Sequence, residues 1–284
     1  AAAAAPASAS PPPLRVLFLG NSYTFFNGLP DVFSNVSARL PRPVAVAVSM
    51  VAPGGSSIFQ KGNLSLPMGQ QTAAALAEPG RWDYVVLQDQ SECPGGGIDN
   101  DSHLPRGKGF NLSDAALASF FKPRLQAANA TPVMYSTWGR HDGDQVNAAC
   151  CGYGTFLSMN HLTTEGYRKY AATLAGGGAG AVTPLNPLVA PAGLGFELIH
   201  NASGPNPTDP STRFSCLYHH AGDKCVLDSA GLGGHPSPLG TYLIACTMAG
   251  TMHRQSVVGV QWAPPGVTDI DRDYVQKVAH TAVF

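Results

Sequence analysis

Charge is scarce in this 284-residue chain: Asp, Glu, Lys and Arg together make up 12% of it, 17 basic against 18 acidic residues, for a formal net charge of −1. The basic residues are scattered, so neither a phosphate-tracking nucleic-acid surface nor an electrostatic membrane patch is expected. No apolar run reaches 18 residues, which excludes a membrane-spanning helix. The ligand spacings of common zinc sites are missing too. Cys216, His219, His220, Asp223 and Cys225 crowd together, but cysteines at that spacing read better as a disulfide than as metal ligands. There is no Walker-type loop. Gly176-Gly177-Gly178-Ala179-Gly180 follows a helix signal instead of opening one, which argues against a dinucleotide fingerprint. Neither a metal nor another cofactor is expected.

What the chain does have is alternation of strand and helix signals, the pattern of a parallel sheet covered on both faces. Strands are expected at 14–20, 44–51, 82–88, 133–137 and about 181–190. Helices are expected at about 30–40, 67–78, from a cap at Ser113 or Asp114 to Asn129, and at 154–175, 193–201, 237–252 and 271–282. This predicts an α/β fold, a three-layer α/β/α sandwich with a five-stranded parallel sheet. Residues 1–13, rich in Ala and Pro, read as a disordered or extended tail, and 14–284 as a single domain.

Two short stretches carry chemistry. Gly20-Asn21-Ser22-Tyr23-Thr24 directly follows the apolar run Leu14–Leu19, placing Ser22 at the carboxyl end of a strand, where open α/β sheets bind ligands. Ser22 reads either as a nucleophile or as the cap of a following helix, and Asn21 beside it as a substrate contact. Far downstream, His235 precedes Pro236, and Ser237-Pro238 reads as a helix cap followed by Pro at the first helical position. An imidazole on so stiff a mount suits a general base.

Together, the early Gly-Asn-Ser-Tyr-Thr and the late His235-Pro236-Ser237-Pro238-Leu239-Gly240 resemble the SGNH, or GDSL-like, hydrolase superfamily of esterases and lipases, over roughly Leu14 to Met252. The resemblance implies a flavodoxin-like sandwich in which Ser22 attacks an ester and His235 is the base. It also assigns oxyanion donors: the backbone of Ser22, Gly54 or Gly55 after the second strand, and a third-strand amide. The third block departs from the usual Gly-x-Asn-Asp, reading Gln88-Asp89-Gln90-Ser91, so Gln90 becomes the amide donor.

A second departure concerns the acid. Leu232 stands three residues before His235, where the superfamily carries Asp. Three replacements stay open: Asp228, folded back over Gly231, Gly233 and Gly234; Asp223; or a Ser-His dyad whose imidazole is oriented by a backbone carbonyl.

Two long loops, 89–112 and 138–153, should shape the pocket. Trp138 either stacks on a sugar face or covers core, and Arg140 either forks onto paired substrate oxygens or pairs with Asp142 at the surface. Five glycosylation sequons, at Asn35, Asn63, Asn111, Asn129 and Asn201, point to an extracellular or cell-surface location. So do six cysteines, with Cys216–Cys225 as the first expected bridge and Cys93 paired with Cys150 or Cys151. Cys246 reads as a buried thiol. The chain begins at Ala1, consistent with a removed signal peptide or a trimmed end. The expected function is a secreted serine esterase removing a small acyl group, acetyl above all, from a carbohydrate or other small ester. A non-catalytic glycan-binding or cell-surface protein on the same fold and an acyltransferase are the alternatives.

Overall fold

The computed structural model describes residues 11–77, 79–96, 108–147, 152–176, 184–222 and 224–284. Alternation along β1 (Leu14–Leu19) sets the layers, because successive strand side chains point to opposite faces. Val16 and Phe18 enter one core with Phe33, Phe196 and Leu243, whereas Leu17 and Leu19 enter the other with Phe121, Leu125 and Tyr167. β1 lies inside the sheet between β2 (Val46–Val51) and β3 (Tyr84–Leu87), followed by β4 (Thr131–Tyr135) and β5 (Leu188–Ala190). All pairs are parallel, in the order β2-β1-β3-β4-β5. The chain leaves β1 toward β2 and then returns to β3 on the other side. The crevice outside the carboxyl ends of β1 and β3 is therefore the topological switch point, where such sheets bind ligands.

The helices, in chain order, are α1 (Ser22–Phe25), α2 (Leu29–Ser37), α3 (Ile58–Lys61), α4 (Pro67–Leu76), α5 (Lys108–Ala116), α6 (Lys122–Ala128), α7 (Phe156–Ala175), α8 (Ala192–Ala202), α9 (Ser229–Leu232), α10 (Pro238–His253) and α11 (Asp269–Val283). Helices α2, α8, α10 and α11 cover one face of the sheet, and α4, α6 and α7 the other. The fold is the expected three-layer α/β/α sandwich.

Three boundaries differ from expectation for physical reasons. β4 begins at Thr131 and contains Pro132, a residue that ordinarily argues against an inner strand. The Thr131 N–H donates to Asp83 in β3's direction, so the nitrogen of Pro132 faces β5. There β5 starts only opposite Val133, and no donor is required. The helix expected to start at Ser113 or Asp114 is already helical at Lys108, with Ser113 buried inside it and Asp114 accepting the Thr173 hydroxyl at 2.6 Å. It passes through a π-helical turn at Leu117–Phe121 into α6, whose second residue is Pro123. A proline there forfeits one helical hydrogen bond and crowds the preceding turn, which the wider winding relieves. The fifth strand is confined to Leu188–Ala190, with 184–187 irregular. Expectations concerning residues 1–10, Cys150, Cys151 and Asp223 lie outside the described residues.

Candidate active site

The first question is what caps α1, and the answer is Asn21. Its Oδ1 accepts the Tyr23 N–H at 3.0 Å, leaving Ser22 as the first helical residue with its hydroxyl uncommitted to capping. Asn21 is itself held from three sides. Its N–H donates to Gln88 Oε1 (2.8 Å), and its Nδ2 donates to the Ser56 carbonyl (2.9 Å) and, at 3.5 Å, to that of Asp89. Gly20 is needed beside it because a Cβ would come within 2.0 Å of the Thr24 hydroxyl.

The Ser22 hydroxyl meets His235 Nε2 at 2.8 Å, across 213 residues of sequence. The other ring nitrogen, Nδ1, lies 2.9 Å from the Ala230 carbonyl, which can only accept. Nδ1 therefore carries the proton, and Nε2 is left as the acceptor of the serine O–H. This is the tautomer a general base requires. Phe26 stacks on the imidazole at 4.3 Å and Tyr23 meets it edge-on at 5.4 Å. Burial pushes the His235 pKa below its ordinary value. The Arg140 charge adds to that fall, and the hydrogen bond to Ala230 works against it.

Asp228 does not reach His235. One carboxylate oxygen accepts the N–H groups of Ala230 and Gly231 at 3.0 Å each, and the other faces His219 Nδ1 at 2.7 Å. The Gly231 N–H above all, then His219 and the Ala230 N–H, hold its carboxyl below the usual range. The glycine-rich loop folds back as expected, but it wraps its carboxylate around the start of α9.

A cleft of about 200 Å³ opens in front of Ser22 and His235, lined also by Tyr23, Gly55, Gln90, Ser91 and Arg140. A roomier groove of about 410 Å³ lies between α7 and α8, but it holds no nucleophile paired with a base. Gly55 lines the cleft in front of Ser22 with φ of +66°, while a side chain added at Gly54 would meet nothing within 4 Å. Of the two candidates for a backbone oxyanion donor, Gly55 is the one at the cleft. The Gln90 carbonyl oxygen accepts the Glu92 N–H at 2.7 Å, which fixes the amide's orientation. Its NH2 is left with a long 3.4 Å contact to the Ser91 hydroxyl.

Asp89, which sequence reasoning passed over as part of a motif, ties together the loops that bear Gly55 and Gln90. One carboxylate oxygen accepts from Ile58 N–H (2.7 Å) and Gln90 N–H (2.9 Å), and the other from the Tyr170 hydroxyl (2.9 Å). Burial raises its pKa against the pull of those donors and of the Lys61 charge. Lys61 is itself fully buried, its ammonium donating to the carbonyl and hydroxyl of Ser56. An acid two residues after the apolar Tyr84–Leu87 strand was the available signal: a charge so close to a buried strand must be paired.

Trp138 is core, not a sugar platform. It is wholly buried between Tyr23 (4.9 Å) and Phe196 (4.3 Å), and its indole N–H donates to the Gly234 carbonyl at 3.0 Å. Gly234 has φ of +86°, and a Cβ there would fall 2.0 Å from the Tyr23 hydroxyl, so the turn before His235 requires glycine. Arg140 does line the cleft, but its partners are Glu92 and Asp144, both at 2.5 Å and buried, and not the expected Asp142.

Cys216 and Cys225 form a disulfide, and Cys93 and Cys246 are buried, the Cys246 thiol pushed up to about 12 by burial. Asn63, Asn111, Asn129 and Asn201 are exposed, and Asn35 is half-buried. Among the described residues no group of His, Cys, Asp and Glu could hold a metal ion, and no helix is long and apolar enough to cross a membrane.

No protein-family model and no curated protein matches the chain. Solved structures do. A protein from Slackia heliotrinireducens assigned as an SGNH hydrolase is 25% identical, with a TM-score of 0.58, over 85% of this chain and 100% of its own. A GDSL-like lipase from Parabacteroides merdae has a TM-score of 0.50 at 14% identity, over 82% of this chain and 93% of that one. The chain is related to the SGNH, or GDSL-like, hydrolase superfamily. A DUF4886 family protein from Bacteroides uniformis shares the fold, with a TM-score of 0.60 at 15% identity over 96% of this chain and 95% of its own. The SGNH relation supports a hydrolase in general terms.

Proposed function

We propose that the protein is a secreted serine esterase that removes a small acyl group, acetyl above all, from a carbohydrate or another small ester. The observation that carries this reading is the 2.8 Å contact between Ser22 Oγ and His235 Nε2, with Nδ1 engaged by a carbonyl. Nε2 takes the Ser22 proton as Oγ attacks the ester carbonyl, and the imidazolium then protonates the departing alkoxide. The oxyanion is held by the N–H groups of Ser22 and Gly55 and by the Gln90 amide, donors that act most strongly on the charge developing in the transition state. Water, deprotonated by His235, releases the acid in the second half. The cleft's small volume supports a short acyl chain. The disulfide and the exposed sequons support an extracellular location.

Hydrolysis of p-nitrophenyl acetate tests the reading, with Ser22→Ala as control. Release of nitrophenol by the parent and not by the variant supports an esterase. Equal release by both removes Ser22 from the mechanism, and no release by the parent leaves a binding module on the same fold. An added alcohol that captures the acyl group faster than water identifies an acyltransferase.

A further inference from the structure

The carboxylate nearest in sequence before His235 among the described residues sits two bonds of hydrogen-bonded structure away from it, and the intervening geometry closes on itself. The Ala230 carbonyl accepts both the backbone N–H of His235 (3.0 Å) and its Nδ1–H (2.9 Å). Ala230 belongs to α9, a single helical turn far too short to persist unaided. What holds that turn is Asp228, whose Oδ1 takes two of its free N–H groups, those of Ala230 and Gly231. Its other oxygen is engaged by His219 Nδ1, and the His219 N–H donates to the His235 carbonyl at 2.8 Å. Gly231 packs so closely on the segment of His219 that a Cβ would lie 2.0 Å from the His219 carbonyl.

We propose that Asp228 is a positioning residue that orients the catalytic imidazole without touching it, by capping the turn whose Ala230 carbonyl holds Nδ1–H, with His219 as its second anchor. The inference rests on the esterase reading for its kinetic consequence, though not for its geometry. It differs from an ordinary triad in what the carboxylate must supply. A triad acid supplies charge and a direct acceptor to the imidazolium, and its Asp→Asn change costs on the order of 10⁴-fold in turnover. A capping residue need supply only an acceptor oxygen to two amides, which Asn and Ser also possess.

Three variants separate these roles, each followed by kcat and KM on p-nitrophenyl acetate, by thermal melting, and by the downfield proton resonance of His235 Nδ1–H. Asp228→Ala is expected to lower kcat by roughly 10- to 100-fold with KM within about twofold, and to broaden the Nδ1–H resonance, as an unpinned imidazole samples wrong orientations. Asp228→Asn and Asp228→Ser, which keep the cap, should recover kcat to within a few-fold and restore the resonance. If Asp228→Ala does not fold, the comparison of Asn and Ser with the parent still decides. A loss in Asp228→Asn approaching that of a missing triad acid overturns the proposal, as does an Asp228→Ala protein with parental kcat and a sharp resonance. Should the parent itself lack esterase activity, the resonance alone reports whether the cap sets the imidazole, so the two readings fail separately.

Discussion

The Asp89 carboxylate accepts the N–H of Ile58 across 31 residues of sequence, and with the same oxygen the N–H of Gln90. Through this one atom the loop bearing Gly55 and the loop bearing Gln90 are held at a fixed separation around Ser22. Asp89→Ala would strip a partner from two backbone amides and the Tyr170 hydroxyl, and would remove a carboxylate that feels the buried Lys61 charge. Breaking a buried charged network from one side costs about 3–5 kcal/mol. Urea unfolding should show that loss. Asp89→Asn, which keeps one acceptor, should lose less.

Gln90→Ala is expected to lower kcat by roughly 10²–10³-fold while KM changes little, since the amide donates to the transition state and not to the ground-state ester. Steady-state kinetics on an acetyl ester read this directly. Parental turnover would assign Gln90 to holding its own loop through the Glu92 N–H.

The pH profile follows from the sign of the His235 shift. The base works only when neutral, and burial lowers its pKa below the ordinary value, so the neutral form survives to lower pH than it would for a free imidazole. kcat/KM should rise along a single acid limb with its midpoint below about 6.5, the unperturbed value, and be flat by neutral pH. A midpoint above that value would mean that the imidazolium is stabilised by something other than the groups seen around it.

Gly234→Ala should impair both folding and activity. A side chain at φ of +86° is strained, and its Cβ would collide with the Tyr23 hydroxyl. Trp138→Ala should cost about 3–5 kcal/mol of stability, the range for emptying an aromatic core position, and should lower turnover less than Gly234→Ala, through the lost bond to the Gly234 carbonyl. Calorimetry on the two variants, set beside their turnover, would distinguish the mount of the base from the core beneath it.

The extracellular reading is checked by mass spectrometry of the protein from its native source. Mass lost to glycosidase at some of Asn35, Asn63, Asn111, Asn129 and Asn201, and a Cys216–Cys225 bridge that opens with reductant, are the expected results. An unmodified chain with reduced Cys216 and Cys225 would reverse it.

Much of the architecture was legible because its signals are local. Alternation in β1, the Ser237-Pro238 start of α10 and the glycines after α7 each act within a few residues. That Ser22 and His235 would meet was legible because a hydroxyl and an imidazole on such mounts are particular residue types at particular places in the chain. Trp138 was not, since whether an indole covers core or greets a sugar depends on Tyr23 and Phe196, over a hundred and over fifty positions away. The ion-pair partners of Arg140 were not legible for the same reason: Glu92, from the other long loop, and Asp144 take the place of the nearer Asp142. The boundary of β4 escaped because Pro132 is permitted only by the shortness of a neighbouring strand, a fact of pairing that no window along the chain contains.

That the His235 proton rests on the carbonyl of Ala230 has a bearing on how this protein can change over time. A main-chain oxygen is supplied by every amino acid, so no exchange at position 230 can delete the acceptor. Such changes reach the imidazole only by bending the turn. A side-chain acid is lost in one codon step, and its loss is abrupt. Here exchanges at position 230 should erode the orientation of the base only gradually, through packing, and relatives that share the device need show no fixed residue at that position.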